Sequence, residues 1–247
     1  MSVLVLVRHG QASFFADDYV ALSPAGEAQA RRLGEYWASR GEVFDFDEVY
    51  VGPRRRQQRT AELVGACYQA AGRSWPEPVV LDELDEYDLG GLLGRLSPAL
   101  VERDHEFADL VRAYRASAGE SDRARSFQLM FETLLTRWQA ALPDTETDTA
   151  RDGIESWLAF RARVRRGLQS ITDRPGRGRR VAAFTSGGFI GTAVGVVLSV
   201  PDRTCLELNW RLRNGSLAHL LFSSGRLTLD DFNTLPHLHD PAEWTYR

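Results

Sequence analysis

Ser2-Val-Leu-Val-Leu-Val-Arg8-His9-Gly10-Gln11-Ala12-Ser13 joins an apolar run to two basic side chains and a glycine. Val3 to Val7 are five consecutive apolar residues, three of them β-branched, which is the pattern of a strand buried on both faces. In open α/β sheets ligands bind at the carboxyl ends of strands, and this strand delivers Arg8 and His9 there. Gly10 permits a sharp turn and a close approach of backbone to ligand. The Arg8 guanidinium is a planar fork suited to a phosphoryl group, and His9 could attack phosphorus. Alone, the three residues fit equally well a strand end that faces solvent.

The whole chain limits the choices. Its 247 residues can bury a sizeable core and are read as one domain. Thirty Lys and Arg against 34 Asp and Glu give a net charge of -4, so no strong field invites nucleic acid or an anionic membrane. Cys67 and Cys205 are too few for a disulfide framework and are expected to be reduced. Val3 to Val7 is shorter than a signal-peptide core, and no apolar stretch is long enough for a bilayer. The expectation is a soluble, cytoplasmic protein.

Downstream, strands alternate with helices. Ser23 as N-cap and Pro24 at the first helical position, with Ala30, Leu33 and Trp37 at helical spacing, predict a helix from Pro24 to Ser39 that ends at Gly41. Phe46 to Val51 reads as a second strand closing on Gly52-Pro53. The run Arg54-Arg55-Arg56-Gln57-Gln58-Arg59-Thr60-Ala61 then starts a helix at that strand's carboxyl end. Four arginines so close together are ordinarily a solvated face, and at least two are expected to be just that. Pro78 to Leu81 reads as a third strand. It is followed by five carboxylates in the seven residues Asp82 to Asp88, a loop where a general acid could sit.

Ser97 to Leu142 repeats apolar residues at three and four, and reads as a helical insertion; Pro143 to Asp152 is polar and reads as a loop. Trp157, Phe160, Val164, Leu168 and Ile171 mark another amphipathic helix, with its arginines on the outer face. Arg180 to Thr185 is a fourth strand. The turn Ser186-Gly187-Gly188 and an apolar helix follow, an arrangement that presents free backbone N–H groups to an anion. Glu207 to Arg211, Ser216 to Phe222 and Arg226 to Phe232 read as short strands, the last ones antiparallel.

Six segments in order carry a resemblance: Leu6-Val7-Arg8-His9-Gly10; Leu22-Ser23-Pro24 through Gly26 to Gln29-Ala30; Pro53 through Arg56 to Thr60-Ala61; Gly153-Ile-Glu155-Ser156; Phe184-Thr185-Ser186-Gly187-Gly188; and Asn214-Gly-Ser216 with Phe232-Asn233 and His237-Leu238. Together they resemble the histidine phosphatase superfamily, also called the phosphoglycerate-mutase-like family. The resemblance implies a three-layer α/β/α sandwich, with a mostly parallel sheet, an antiparallel strand near the C-terminus and residues 97–142 inserted over the pocket. It implies that His9 is the nucleophile that becomes phosphohistidine and that Arg8 and Arg56 clamp phosphate, with Ser186 and Gly187 completing the phosphate site. Glu83 is matched to the acid that protonates the leaving oxygen, and Glu86, three residues on, is kept as its substitute. Neither metal nor cofactor is expected.

The pattern departs at Ser186, where members of the family carry a second histidine. Serine can donate one hydrogen bond but no positive charge. Loss of one preorganised donor costs on the order of 10²–10³ in turnover, so Ser186→His is expected to raise turnover by that factor. His219, His237 and His239 are not expected to fill the gap. Phe15 stands where some members have an asparagine, which disfavours mutase activity. The expected function is a phosphomonoesterase-like hydrolase of reduced activity on a small phosphorylated metabolite. The alternative is a catalytically silent protein that binds a phospho-ligand or inorganic phosphate. Nucleic acid and membrane are not expected as partners; a homodimer is left open.

Overall fold

A computed structural model describes residues 1–12, 21–141, 153–223 and 225–246. Phe15, Ser224 and the loop expected over 143–152 lie outside the described residues. The chain forms two compact units, residues 1–86 with 163–247 and residues 87–162.

The first unit is built on a six-stranded sheet in the order β3-β2-β4-β1-β5-β6. Its strands are β1 Ser2–Arg8, β2 Glu48–Val51, β3 Val79–Val80, β4 Arg180–Thr185, β5 Leu217–Ser223 and β6 Arg226–Thr234. The neighbours β3, β2, β4 and β1 run parallel, while β5 and β6 are antiparallel. β1 lies between a parallel and an antiparallel partner, with Arg8 level with Thr185, so its carboxyl end opens beside that of β4.

Helices α1 Pro24–Ser39 and α2 Arg55–Ala70 cover one face of the sheet. Val5 and Val7 of β1, Val49 and Val51 of β2 and Phe184 of β4 join Leu33, Trp37, Val64 and Tyr68 from these helices in one core cluster. Each such side chain contributes roughly 1.5–3 kcal/mol by leaving water. Successive strand residues point to opposite faces, so Leu4 and Leu6 serve the other layer. There lie α8 Gly187–Leu198 and α9 Asp202–Arg211. α8 is apolar all round and buried from Gly187 to Gly195, as a helix sandwiched between layers must be. The sandwich is three-layered, as the resemblance implies.

α1 has the predicted bounds, and the Ser23 hydroxyl accepts from the Gly26 N–H at 3.1 Å. Glu207 to Arg211, expected to be a strand, is instead the end of α9. Cys205, Leu206 and Asn209 are buried at three- and four-residue steps against α8, whose Gly191 and Gly195 let the two backbones meet. A Cβ on Gly191 would stand 2.7 Å from Asn209 N, and one on Gly195 would stand 2.2 Å from Cys205 Sγ.

The second unit is helical. It holds α3 Leu89–Gly91, a π-helical turn at Leu92–Leu96, α4 Ser97–Arg103, α5 His105–Ala116, α6 Glu120–Ala140 and the start of α7 Trp157–Thr172. Tyr87, Phe131, Trp138, Trp157 and Phe160 form an aromatic core, in which Trp138 Nε1 donates to the Glu155 carbonyl at 2.9 Å. The unit extends past the expected insertion at both ends. No helix among the described residues is long and apolar enough to cross a membrane.

Candidate active site

Arg8 and His9 leave the end of β1 as buried side chains. The His9 N–H donates to the Thr185 carbonyl at 3.0 Å, and the His9 carbonyl accepts from the Gly215 N–H at 3.1 Å. Gly10 makes its turn against the start of α1: a Cβ there would stand 2.3 Å from the Gly26 carbonyl oxygen. The Gly10 N–H donates to Thr60 Oγ1 at 3.2 Å, and Thr60 Oγ1 donates to the Arg56 carbonyl at 2.7 Å. Thr60 thereby ties the turn to the first turn of α2.

The imidazole has a defined tautomer. His9 Nδ1 lies 2.7 Å from the Gly10 carbonyl, which can only accept, so Nδ1 carries the proton. Nε2 keeps its lone pair and accepts from Arg56 Nε at 3.0 Å. Burial, then the Arg56 and Arg8 charges, hold the His9 pKa well below its ordinary 6.5. The ring is neutral at pH 7.

Arg56, second residue of α2, is buried, whereas the arginines on either side form ion pairs. Arg55 pairs with Glu62, and Arg59 with Glu27 and Glu62. Arg54 pairs with Asp85. Arg8 donates from its guanidinium to the Leu212 carbonyl and from its backbone to the Ser216 carbonyl. A Cβ on Gly187 would stand 3.4 Å from Arg8 Nε and 2.6 Å from Asn209 Oδ1, so Arg8 lies against the first turn of α8. Ser186 is fully buried at that turn, where its Oγ accepts from Gln57 Nε2 at 2.8 Å.

The two candidate carboxylates differ in position. Glu86 Oε2 accepts from the Gly188 N–H at 3.1 Å, at the positive end of α8. Glu83 has its Cβ 3.0 Å from where a Cβ on Gly167 would stand, against α7. Arg163 of α7 fixes the acidic loop between them, donating to the carbonyls of Glu83, Asp85 and Glu86 at 3.1, 2.8 and 3.2 Å. Read from the sequence as an outer-face residue, Arg163 turns inward because those carbonyls need donors.

His219 pairs with Asp231 across β5 and β6. His237 is buried, and burial, with smaller effects from His239 and Arg32, brings its pKa down to about 3. No hydrogen bond joins either to the Ser186 turn among the described residues. No group of three or more His, Cys, Asp or Glu side chains there could hold a metal ion.

Sequence reasoning assigned no role to Gln57 or Thr60. Gln57, Ala61, Val64 and Tyr68 repeat at steps of four, three and four, and all are buried, so Gln57 lies on the inward stripe of α2.

A family model described as "Histidine phosphatase superfamily (branch 1)" matches residues 4–142 and 123–235. Three solved structures illustrate the fold likeness. A putative alpha-ribazole-5'-P phosphatase from Escherichia coli is 18% identical with a TM-score of 0.61, over 95% of this chain and 98% of that one. A phosphoserine phosphatase from Entamoeba histolytica, solved with 3-phosphoglyceric acid, is 17% identical at 0.61, over 96% and 99%. A phosphoglycerate mutase from Bacillus anthracis is 18% identical at 0.60, over 96% and 94%. No curated protein matches the chain.

Proposed function

The chain belongs to the histidine phosphatase superfamily, and from that premise we propose that it hydrolyses a small phosphorylated metabolite through a phospho-His9 intermediate. The observation that carries this reading is the state of His9. Its Nδ1 proton is held by the Gly10 carbonyl, its ring is neutral, and the Nε2 lone pair is aimed at Arg56. That is a nucleophile with its lone pair kept beside a cation.

In the proposed reaction the incoming phosphoryl group draws Arg56 from Nε2 to its own oxygens, with Arg8 opposite, and the freed lone pair attacks phosphorus. The N–P bond forms as the bond to the leaving oxygen breaks. Protonated Glu86 gives that oxygen its proton. In the second half Glu86 takes a proton from water, whose oxygen bonds to phosphorus as the N–P bond breaks and its electron pair returns to Nε2, releasing phosphate and restoring His9 and protonated Glu86. Two guanidinium forks meet the charge on the equatorial oxygens. Glu86 is preferred to Glu83 because its carboxylate reaches the turn that also carries Ser186 and Gly187.

One observation favours the silent-binder reading: Ser186 is paired with the neutral Gln57, so this turn brings no second imidazole. Rapid-quench with an aryl phosphomonoester separates the two. An acid-labile phospho-His9 and turnover abolished by His9→Ala are expected. No turnover, no trapped intermediate, and phosphate stabilisation that survives His9→Ala would leave the binder.

A further inference from the structure

Gln57 is fully buried next to Arg56, and the proposed reaction does not use it. Two backbone groups of fixed polarity orient its carboxamide. The Arg54 N–H can only donate, and does so to Gln57 Oε1 at 3.0 Å; the Leu84 carbonyl can only accept, and does so from Gln57 Nε2 at 3.3 Å. Exchanging the two ends of the amide would set donor against donor and acceptor against acceptor, so the assignment follows from chemistry.

The other hydrogen on Nε2 is directed at Ser186 Oγ, 2.8 Å away, and Ser186 must accept it. A hydroxyl has one proton of its own. Ser186 is fully buried and its hydroxyl makes no other hydrogen bond among the described residues. Leaving a buried donor unpaired is costly, and a ligand oxygen at the turn shared with Gly187 and Arg8 would relieve it.

We propose that Gln57 is a positioning residue that locks Ser186 as a neutral donor to the phosphoryl group, so that the pair forms an uncharged third contact beside Arg8 and Arg56. The inference rests on the phosphoryl-site reading and deepens it, because it gives the serine a defined part in place of a lost charge. Gln57 touches no substrate atom; it acts by occupying the lone pair that would otherwise compete for the ligand side of the hydroxyl.

The test is a double-mutant cycle on the full chain, reading inorganic phosphate affinity by calorimetry. Ser186→Ala is expected to weaken binding roughly 10- to 100-fold, the range for a hydrogen bond to a charged group. Gln57→Met keeps the bulk, frees the hydroxyl to rotate and should weaken binding less. The double variant should bind no worse than Ser186→Ala alone. A purely structural Gln57 would lower thermal stability equally in both backgrounds, and its effect on affinity would add to that of Ser186→Ala, which would overturn the proposal. So would unchanged affinity in Ser186→Ala. If Gln57→Met does not fold, Gln57→Glu replaces it: its carboxylate accepts the hydrogen bond that the Ser186 hydroxyl would otherwise donate to the ligand, and affinity must fall at least as far as in Ser186→Ala or the proposal is wrong. A wild type that neither binds phosphate nor turns over an aryl phosphate would instead remove the functional reading, and this inference with it.

Discussion

At the scale of single residues, Ser186 governs what can be engineered. A histidine Cγ in place of its Oγ, in the same rotamer, would stand about 2.8 Å from Gln57 Nε2, inside van der Waals contact. Gln57 cannot retreat without giving up Arg54 N and Leu84 O. Ser186→His alone is therefore expected to lower stability and activity, contrary to the gain anticipated from the sequence. The gain of roughly 10²–10³ is expected only with Gln57→Ala, measured as kcat on an aryl phosphate. The carboxylates separate by leaving group. Glu86→Gln should slow hydrolysis of alkyl phosphates while sparing activated aryl phosphates, and Glu83→Gln should leave both rates unchanged. The reverse result would return the acid to Glu83. Arg8 and His9 stood out because they end an apolar strand, and Ser186 because it joins a strand to an apolar helix, whereas Arg56 was singled out from its neighbouring arginines only by the family resemblance. Gln57 was not, since a polar residue on a helix's inward stripe shows its purpose only when its partners, 3, 27 and 129 residues away, are known.

At the scale of elements, α8 and α9 are fitted together by glycine. Gly191→Ala would drive a methyl into backbone atoms of Cys205 and Asn209, at 2.8 and 2.7 Å, where nothing nearby can yield. It should cost about 1–3 kcal/mol in urea denaturation and resist rescue. Gly195→Ala meets a side chain, Cys205 Sγ, so Cys205→Ala should recover much of its loss. Equal losses with and without Cys205→Ala would refute this account of the contact. The same packing explains the misread strand. A ten-residue helix with three buried positions has little periodicity of its own, and its partner's glycines are what make it a helix-packing surface. α1, by contrast, declared itself through Ser23 and Pro24. Several family segments likewise hold backbone in place: Gly215 and Ser216 receive the β1 end, and Asn233 Oδ1 accepts from the Arg213 N–H.

At the scale of the molecule, the parallel sheet was legible from apolar runs that each end in a turn, while its strand order depends on pairings between distant residues that no local pattern records. Burial of imidazoles sets how the folded chain meets acid. An ordinary histidine has a pKa near 6.5, and His237 is held at about 3. Above pH 6.5 neither the folded nor the unfolded chain protonates this group. As the pH falls below 6.5 the unfolded chain takes up a proton that the folded chain refuses, so stability is lost progressively down to about pH 3. His9, also depressed, acts in the same direction, but it belongs to the site and is left in place. Neither ring nitrogen of His237 has a hydrogen-bond partner among the described residues, so His237→Leu removes the titration without removing a bond within them. Urea unfolding between pH 7 and pH 4 should show the wild type losing stability faster than His237→Leu, the difference growing by up to about 1.4 kcal/mol for each pH unit below 6.5. Parallel curves would mean that His237 gains a proton in the folded state as readily as in the unfolded one, and that its burial is relieved by opening of the residues around it.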